Sequence, residues 1–159
     1  MSDEMTPISL DALELLEYEP NRYPFLFLDR ITECVPGKYV KGYKNFTNNE
    51  WFFPKHYVGH PIVPGAVQTE ALSQIITIAI TTLPEVEDVN VEGIKWNISF
   101  HKEIKPGDRL DMEAELLSFK RGIGKGVARG YVDGELACEL EASIVVPCIF
   151  EKFKPQSRK

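Results

Sequence analysis

Gly65-Ala66-Val67-Gln68-Thr69-Glu70-Ala71-Leu72-Ser73-Gln74-Ile75-Ile76-Thr77-Ile78-Ala79-Ile80-Thr81-Thr82 decides the fold. It contains no proline and, after Gly65, no glycine. Val67, Ala71, Ile75 and Ile78 recur at near-helical spacing, with Leu72, Ile76 and Ala79 on an adjacent face. A helix that is apolar on most sides is a buried helix. The β-branched residues from Ile75 to Thr82 favour a strand instead, but a run of 18 residues is long for a strand. Leu83-Pro84 stops the element.

Downstream of this helix the pattern reads as an antiparallel meander. Strands are expected over Ile94–Ile104, Leu110–Lys120, Val127–Val132 and Leu136–Val146. Lys105-Pro106-Gly107-Asp108, Gly122–Gly126 and Asp133-Gly134 are read as the turns between them, and Asp-Gly is a strong hairpin signal. Upstream, Phe25–Thr32 and Tyr39–Phe46 flank Pro36-Gly37-Lys38 as a further hairpin. Ser9 could cap a short helix through Leu16, ended by Pro20 and Pro24. The expected class is α+β: five or six antiparallel strands with one long helix covering the face of a curled sheet.

Residues 50–64 break the pattern. Trp51, Phe52, Phe53 and Tyr57 alternate with Pro54, Gly59, Pro61 and Pro64. That density of proline opposes a regular element, and that density of aromatics opposes a solvated loop. An ordered loop packed on the core is expected, the kind of segment that carries function.

Composition bounds the classes of function. A chain of 159 residues, 43% hydrophobic and 26% charged, suits one globular domain over residues 1–159. Residues 1–20 read as an N-terminal helix or extension, and 150–159 as a flexible basic tail. The net charge of −6 argues against non-specific nucleic-acid binding, which needs a basic footprint. No apolar run suggests a membrane span, and no signal peptide is visible. Three well-separated cysteines, Cys34, Cys138 and Cys148, read as small buried or half-buried thiols in a reducing cytoplasm. No metal site and no cofactor is expected.

Four residues could carry chemistry. Glu70 is a carboxyl inside an apolar helix, costly to bury unless paired or protonated. Gln74, four residues on, shares its face and could hold it. His56 lies in the aromatic, proline-rich loop, where an imidazole can serve as acid or base. Gly65 opens the helix, and its N–H would be one of the unpaired donors that favour developing negative charge. Three of them also have a plain structural reading. Glu70 would favour the helix dipole, His56 would be a satisfied structural histidine, and Gly65 would supply unusual dihedrals.

The stretch His56-Tyr57-Val58-Gly59-His60-Pro61-Ile62-Val63-Pro64-Gly65, followed by Glu70-Ala71-Leu72-Ser73-Gln74, resembles a known active-site motif. It is that of the β-hydroxyacyl-acyl-carrier-protein dehydratases of type II fatty acid synthesis, His-Phe-Pro-x-x-Pro-x-Met-Pro-Gly and then Glu-Ala-x-Ala-Gln. Arg22-Tyr23-Pro24-Phe25-Leu26-Phe27-Leu28-Asp29-Arg30, Lys44-Asn45, Asn49-Glu50, Phe100 and Pro106-Gly107-Asp108 extend the similarity over residues 20–146. Tyr57, Val58, Val63 and Ser73 depart from the motif, and Asn21 stands where a histidine is common. The dehydratase–isomerase branch carries Asp where this chain has Glu70, so isomerase activity is not implied.

The resemblance implies a hot-dog fold, a sheet wrapped round one central helix. It implies a homodimer, often a trimer of dimers, with His56 from one subunit and Glu70 from the other in each site. It also implies a cytoplasmic enzyme that takes its substrate from acyl carrier protein. The expected reaction converts a 3-hydroxyacyl thioester to the trans-2-enoyl thioester. His56 would take a C2 proton, the Gly65 N–H would polarise the carbonyl, and Glu70 would donate to the leaving hydroxyl. An acidic carrier would need a basic patch, for which Lys102, Lys105, Lys120, Arg121 and Lys125 are candidates. Two rival functions are a hot-dog thioesterase using Glu70 to activate water, and a non-catalytic acyl-binding subunit. Thiol release would single out the first, and failure to hydrate an enoyl thioester the second.

Overall fold

The computed structural model describes residues 5–155. Among them one helix, α1 (Gly65–Thr81), lies against a seven-stranded antiparallel sheet. The strands are β1 (Ile8–Leu10), β2 (Arg30–Val35), β3 (Tyr39–Asn45), β4 (Glu92–Phe100), β5 (Arg109–Lys120), β6 (Ile123–Val132) and β7 (Glu135–Val145), in the spatial order β1-β2-β3-β5-β6-β7-β4. A short helix, α2 (Pro147–Phe150), follows the sheet. The α+β hot-dog expectation holds, with seven strands where five or six were expected.

The helix won over the strand at Ile75–Thr82 because its whole circumference is covered. Ala71, Leu72, Ile75, Ile78, Ala79 and Ile80 have no exposed surface, and buried Thr77 and Thr81 return their hydroxyls to Ser73 O and Thr77 O. A β-branched residue loses little when packing rather than propensity decides the backbone.

Three expectations are corrected. The first is at the N-terminus, where Ser9 lies in β1 and caps nothing. The cap is Asp11, whose Oδ1 accepts the N–H groups of Leu13 and Glu14 at 2.8 and 2.9 Å. Glu14 Oε2 accepts the Asp11 N–H in return at 2.9 Å. This reciprocal box starts only a single 3-10 turn, Glu14–Glu17.

The second is at Gly122–Gly126, where glycine density suggested a turn. Most of it is strand β6. A Cβ on Gly124 would meet Ile80 Cδ1 at 2.6 Å, and one on Gly126 would meet Ile76 Cγ2 at 2.7 Å. These glycines let the helix sit close to the sheet. The turn itself is the pair Arg121-Gly122, both at positive φ.

The first hairpin strand is also later than expected, at β2, because Phe25–Leu28 serves the helix instead, as described below. A single 3-10 turn, Phe53–Lys55, interrupts the loop of residues 50–64. At the C-terminus, a 3-10 turn over Glu151–Phe153 follows α2, and tail residues 156–159 lie outside the described residues. The expected flexible tail therefore falls partly on turns and partly outside the described residues.

One edge of the sheet is unusual. β4 pairs with β7 along one side only, and Ile94, Trp96 and Phe100 on it are about half exposed. An open edge with three large apolar side chains is a surface that soluble proteins normally cover.

Candidate active site

The loop carrying His56 is held by aromatic packing and buried charge. Phe46, Trp51, Phe52 and Phe53 stack edge to face, at centroid separations of 4.9 to 6.1 Å. Buried Lys44 donates to Glu50 Oε1 at 2.9 Å and to Asn45 O at 2.9 Å, with Asp29 at 3.7 Å. Asp29, Lys44 and Glu50, from three separate segments of the sequence similarity, are thereby brought together.

His56 leaves the 3-10 turn half-buried, its ring 4.3 Å from that of Tyr57. Its Nδ1 is 3.0 Å from Ile62 O. A carbonyl can only accept, so the proton sits on Nδ1 and Nε2 keeps its lone pair. Tyr57 at φ 54° and Gly59 at φ 83° turn the chain back, so that Ile62 reaches the ring. His60 is exposed and pairs with Glu103 at 3.1 Å, and does not itself line the pocket of His56.

Gly65 comes to the same place from the helix. His56, Ile62, Val63, Gly65, Gln68 and Phe100 line one pocket of about 400 Å³. The Val67 and Gln68 N–H groups bond to Pro64 O, and no side chain caps the helix start. The Gly65 N–H therefore remains a donor beside the positive end of the helix. Gly65 is not among the residues at positive φ. Its lack of a side chain makes room for Phe100, whose Cζ would lie 2.8 Å from a Cβ there.

Glu70 is elsewhere. Five residues at 3.6 per turn place it about 140° round the helix from Gly65. It opens into a second pocket of about 440 Å³, with Glu19, Asn21, Ser73, Gln74 and Trp96 on the wall. Gln74 holds it, as expected from the spacing: Nε2 donates to Glu70 Oε1 at 3.0 Å. The same amide donates to Phe25 O at 2.7 Å and accepts the Phe27 N–H at 2.8 Å. That is why Phe25–Leu28 runs beside the helix and is not a strand. One protomer therefore unites His56 with Gly65, and Glu70 with Gln74, but not the two pairs.

Two residues of these pockets were not singled out by sequence. Gln68 is buried, donates to Val63 O at 3.0 Å and leaves Oε1 unpartnered among the described residues. Its signal was its place one turn after Gly65. Glu19 is 1% exposed. Burial is the main reason its carboxyl is pushed up to about 7, and the negative charge of Glu70 adds to it. Beside Pro20 and Asn21 it reads as a solvated charge, and no sequence signal marks it.

The basic residues do not form one patch on a protomer. Lys102 and Lys105 precede β5, with Lys102 on the His56 pocket wall and also paired to Glu135 at 2.9 Å. Lys120, Arg121 and Lys125 lie at the far end of the β5–β6 hairpin, about 35 Å of strand away. Cys34 and Cys138 are buried free thiols, and burial pushes Cys138 up to about 12. Among the described residues no group of three or more metal-ligating side chains gathers, and no helix is long and apolar enough to cross a membrane.

A sheet wrapped on one helix, with an imidazole and an open helix N-terminus in one pocket, defines a hot-dog protein of the dehydratase type. The family model described as a FabA-like domain matches residues 19–141. The 3-hydroxyacyl-acyl-carrier-protein dehydratase FabZ of Bacillus licheniformis is 44% identical over 134 residues, covering 83% of this chain and 92% of that one. FabZ of Bacillus subtilis is 42% identical over 139 residues, covering 86% and 98%. Among solved structures, the dehydratase heterocomplex ApeI:P of Xenorhabdus doucetiae superposes with a TM-score of 0.71 at 16% identity, covering 84% of this chain and 90% of that one. The chain belongs to the FabA-like family of 3-hydroxyacyl-thioester dehydratases.

Proposed function

We propose that the chain removes water from (3R)-3-hydroxyacyl thioesters on acyl carrier protein, giving the trans-2-enoyl thioester in fatty acid or related acyl-chain biosynthesis. The observation that carries the proposal is the His56 Nδ1 bond to Ile62 O beside the uncapped Gly65 N–H, in one pocket. The free Nε2 takes the C2 proton of a thioester whose carbonyl oxygen accepts the Gly65 N–H. Enolate charge then grows where the helix end favours it. The electron pair of the C2–H bond becomes the C2–C3 double bond, and the C3 hydroxyl leaves with a proton from Glu70.

The site needs a second copy of the chain, because Glu70 faces away from its own His56. The open β4 edge supports this arrangement, since Phe100 borders the His56 pocket and Trp96 borders the Glu70 pocket. A two-fold contact along β4 would bring the His56 pocket of one protomer to the Glu70 pocket of its partner. Dimers could assemble further into trimers of dimers. Lys102, on the wall of the His56 pocket, with Lys105 three residues on, is the better placed of the basic residues to meet an acidic carrier. Free thiols fit a reducing compartment, and the cytoplasm is the proposed location.

The test follows hydration of trans-2-enoyl thioesters of several chain lengths by loss of ultraviolet absorbance. His56→Ala and Glu70→Gln should each slow turnover roughly 10²–10⁴-fold, the usual worth of a positioned acid or base. Wild-type rates in both variants would remove the mechanism.

A further inference from the structure

Glu19 is the polar group that the proposed mechanism leaves without a purpose. It is buried, and its Oε1 accepts both the Asn21 N–H at 2.9 Å and Asn21 Nδ2 at 2.6 Å. Its Oε2 is also buried and has no hydrogen-bond partner among the described residues. Arg22, the nearby cation, directs its donors to carbonyls instead: Nη1 to Glu19 O at 2.6 Å and Asn21 O at 2.9 Å, and Nη2 to Leu16 O at 2.9 Å. Glu19 shares the Glu70 pocket wall, with Asn21, Ser73, Gln74 and Thr77 around them. The charged groups that face it are Glu70 from α1 and Arg22 from its own segment.

An unpaired carboxylate in such a place is costly, and a proton relieves the cost. We propose that Glu19 is a positioning residue for the reaction. Its buried carboxyl holds a proton within the pocket it shares with Glu70, and passes it to Glu70 as that acid is spent. This rests on the reading of Glu70 as the acid of the site.

The pair works as a unit, because whichever carboxyl ionises first opposes ionisation of the other. Burial, with the charge of Glu70 adding to it, pushes Glu19 up to about 7, so Glu19 keeps its proton close to neutrality. During elimination His56 gains the C2 proton and the pair gives its proton to the C3 oxygen, which leaves as water. The pair is then doubly ionised and His56 is an imidazolium. Exchange with solvent returns one proton to the pair and removes one from the imidazole. Asn21, which stands where the family commonly has histidine, orients Glu19 through its two bonds.

The experiment compares the pH profile of kcat/KM for dehydration in wild type, Glu19→Gln and Glu70→Gln, with carboxyl titrations by carbon-13 NMR of glutamate-labelled protein. The wild type should show a buried carboxyl titrating near pH 7, and the alkaline fall of activity should follow it. Glu19→Gln should abolish that titration and move the alkaline limb down by roughly one pH unit, a tenfold loss on that limb. Glu19→Asp, which keeps a carboxyl, should restore part of the shift. In Glu70→Gln the Glu19 midpoint should fall, because the like charge is gone.

An unmoved alkaline limb in a folded Glu19→Gln, with Glu70→Gln inactive, would overturn the proposal and leave the acid assignment standing. Wild-type turnover in Glu70→Gln would overturn the acid assignment itself. A Glu19 midpoint unchanged by Glu70→Gln would show that the carboxyls do not interact, and would also overturn the proposal.

Discussion

Replacing Gln74 by Met keeps the length and bulk of the side chain but removes all three hydrogen bonds of its amide. Gln74 is 2% exposed, and the Phe27 N–H it satisfies belongs to a residue that is also 2% exposed. A buried donor left unpaired costs roughly 1–3 kcal/mol. Phe25 O is only partly buried, so water can replace its partner at lower cost. The bond to Glu70 is likewise only partly buried. These effects together predict a loss of about 3 kcal/mol, a large share of the 5–15 kcal/mol of a typical domain.

Turnover should fall as well, because Glu70 loses the group that fixes its rotamer. A tenfold loss corresponds to about 1.4 kcal/mol of transition-state stabilisation. The assays are urea unfolding at fixed protein concentration and enoyl-thioester hydration. Gln74→Glu sharpens the test. It keeps an acceptor for the Phe27 N–H, yet sets a carboxyl against Phe25 O and Glu70. It should therefore be less destabilising at acid pH, where the new group is protonated, than at neutral pH. A Gln74→Met protein within about 0.5 kcal/mol of wild type and with unchanged turnover would refute the reasoning.

Further outcomes follow from single contacts. In Gly65→Ala the new Cβ must displace the half-exposed Phe100 ring, now 2.8 Å away. Hydration should fall about tenfold or more while the urea midpoint moves little, because the ring can swing into solvent. Glu19 gives a stability that depends on pH. Its ordinary value is 4.5 and its folded value about 7, so between these the folded chain retains a proton that the unfolded chain has lost. Stability should therefore fall by about 3 kcal/mol from pH 4.5 to 7 and level off above, and Glu19→Gln should flatten that slope in urea unfolding at pH 5 and 8. Gly126→Ala should cost roughly 1–3 kcal/mol through its clash with Ile76 Cγ2, and Ile76→Leu, which removes that methyl from Cβ, should recover part of it in the double variant.

The long helix, the antiparallel meander and the Asp133-Gly134 hairpin were readable because each rests on local chemistry. An all-round apolar run, alternating faces and a dipeptide that tolerates positive φ all act within a few residues. The same holds for Gln74 and Glu70, which one helical turn places side by side. The motif also marked His56 and Gly65, and the structure puts them in one pocket.

What local chemistry does not contain was decided by packing. The glycines of β6 read as a turn because glycine permits turns, yet their reason is the nearness of Ile76 and Ile80 on a helix some 50 residues away in the chain. The strand expected at Phe25 yields to a helix side chain that claims its backbone groups. Glu19 reads as a solvated charge, and only the tertiary fold removes its water and sets it beside Glu70. Sequence alone determined the layers and the reactive residue types. Burial and close approach between distant segments decided which of those residues share a pocket, because desolvation is a property of the assembled surface and not of any stretch of chain.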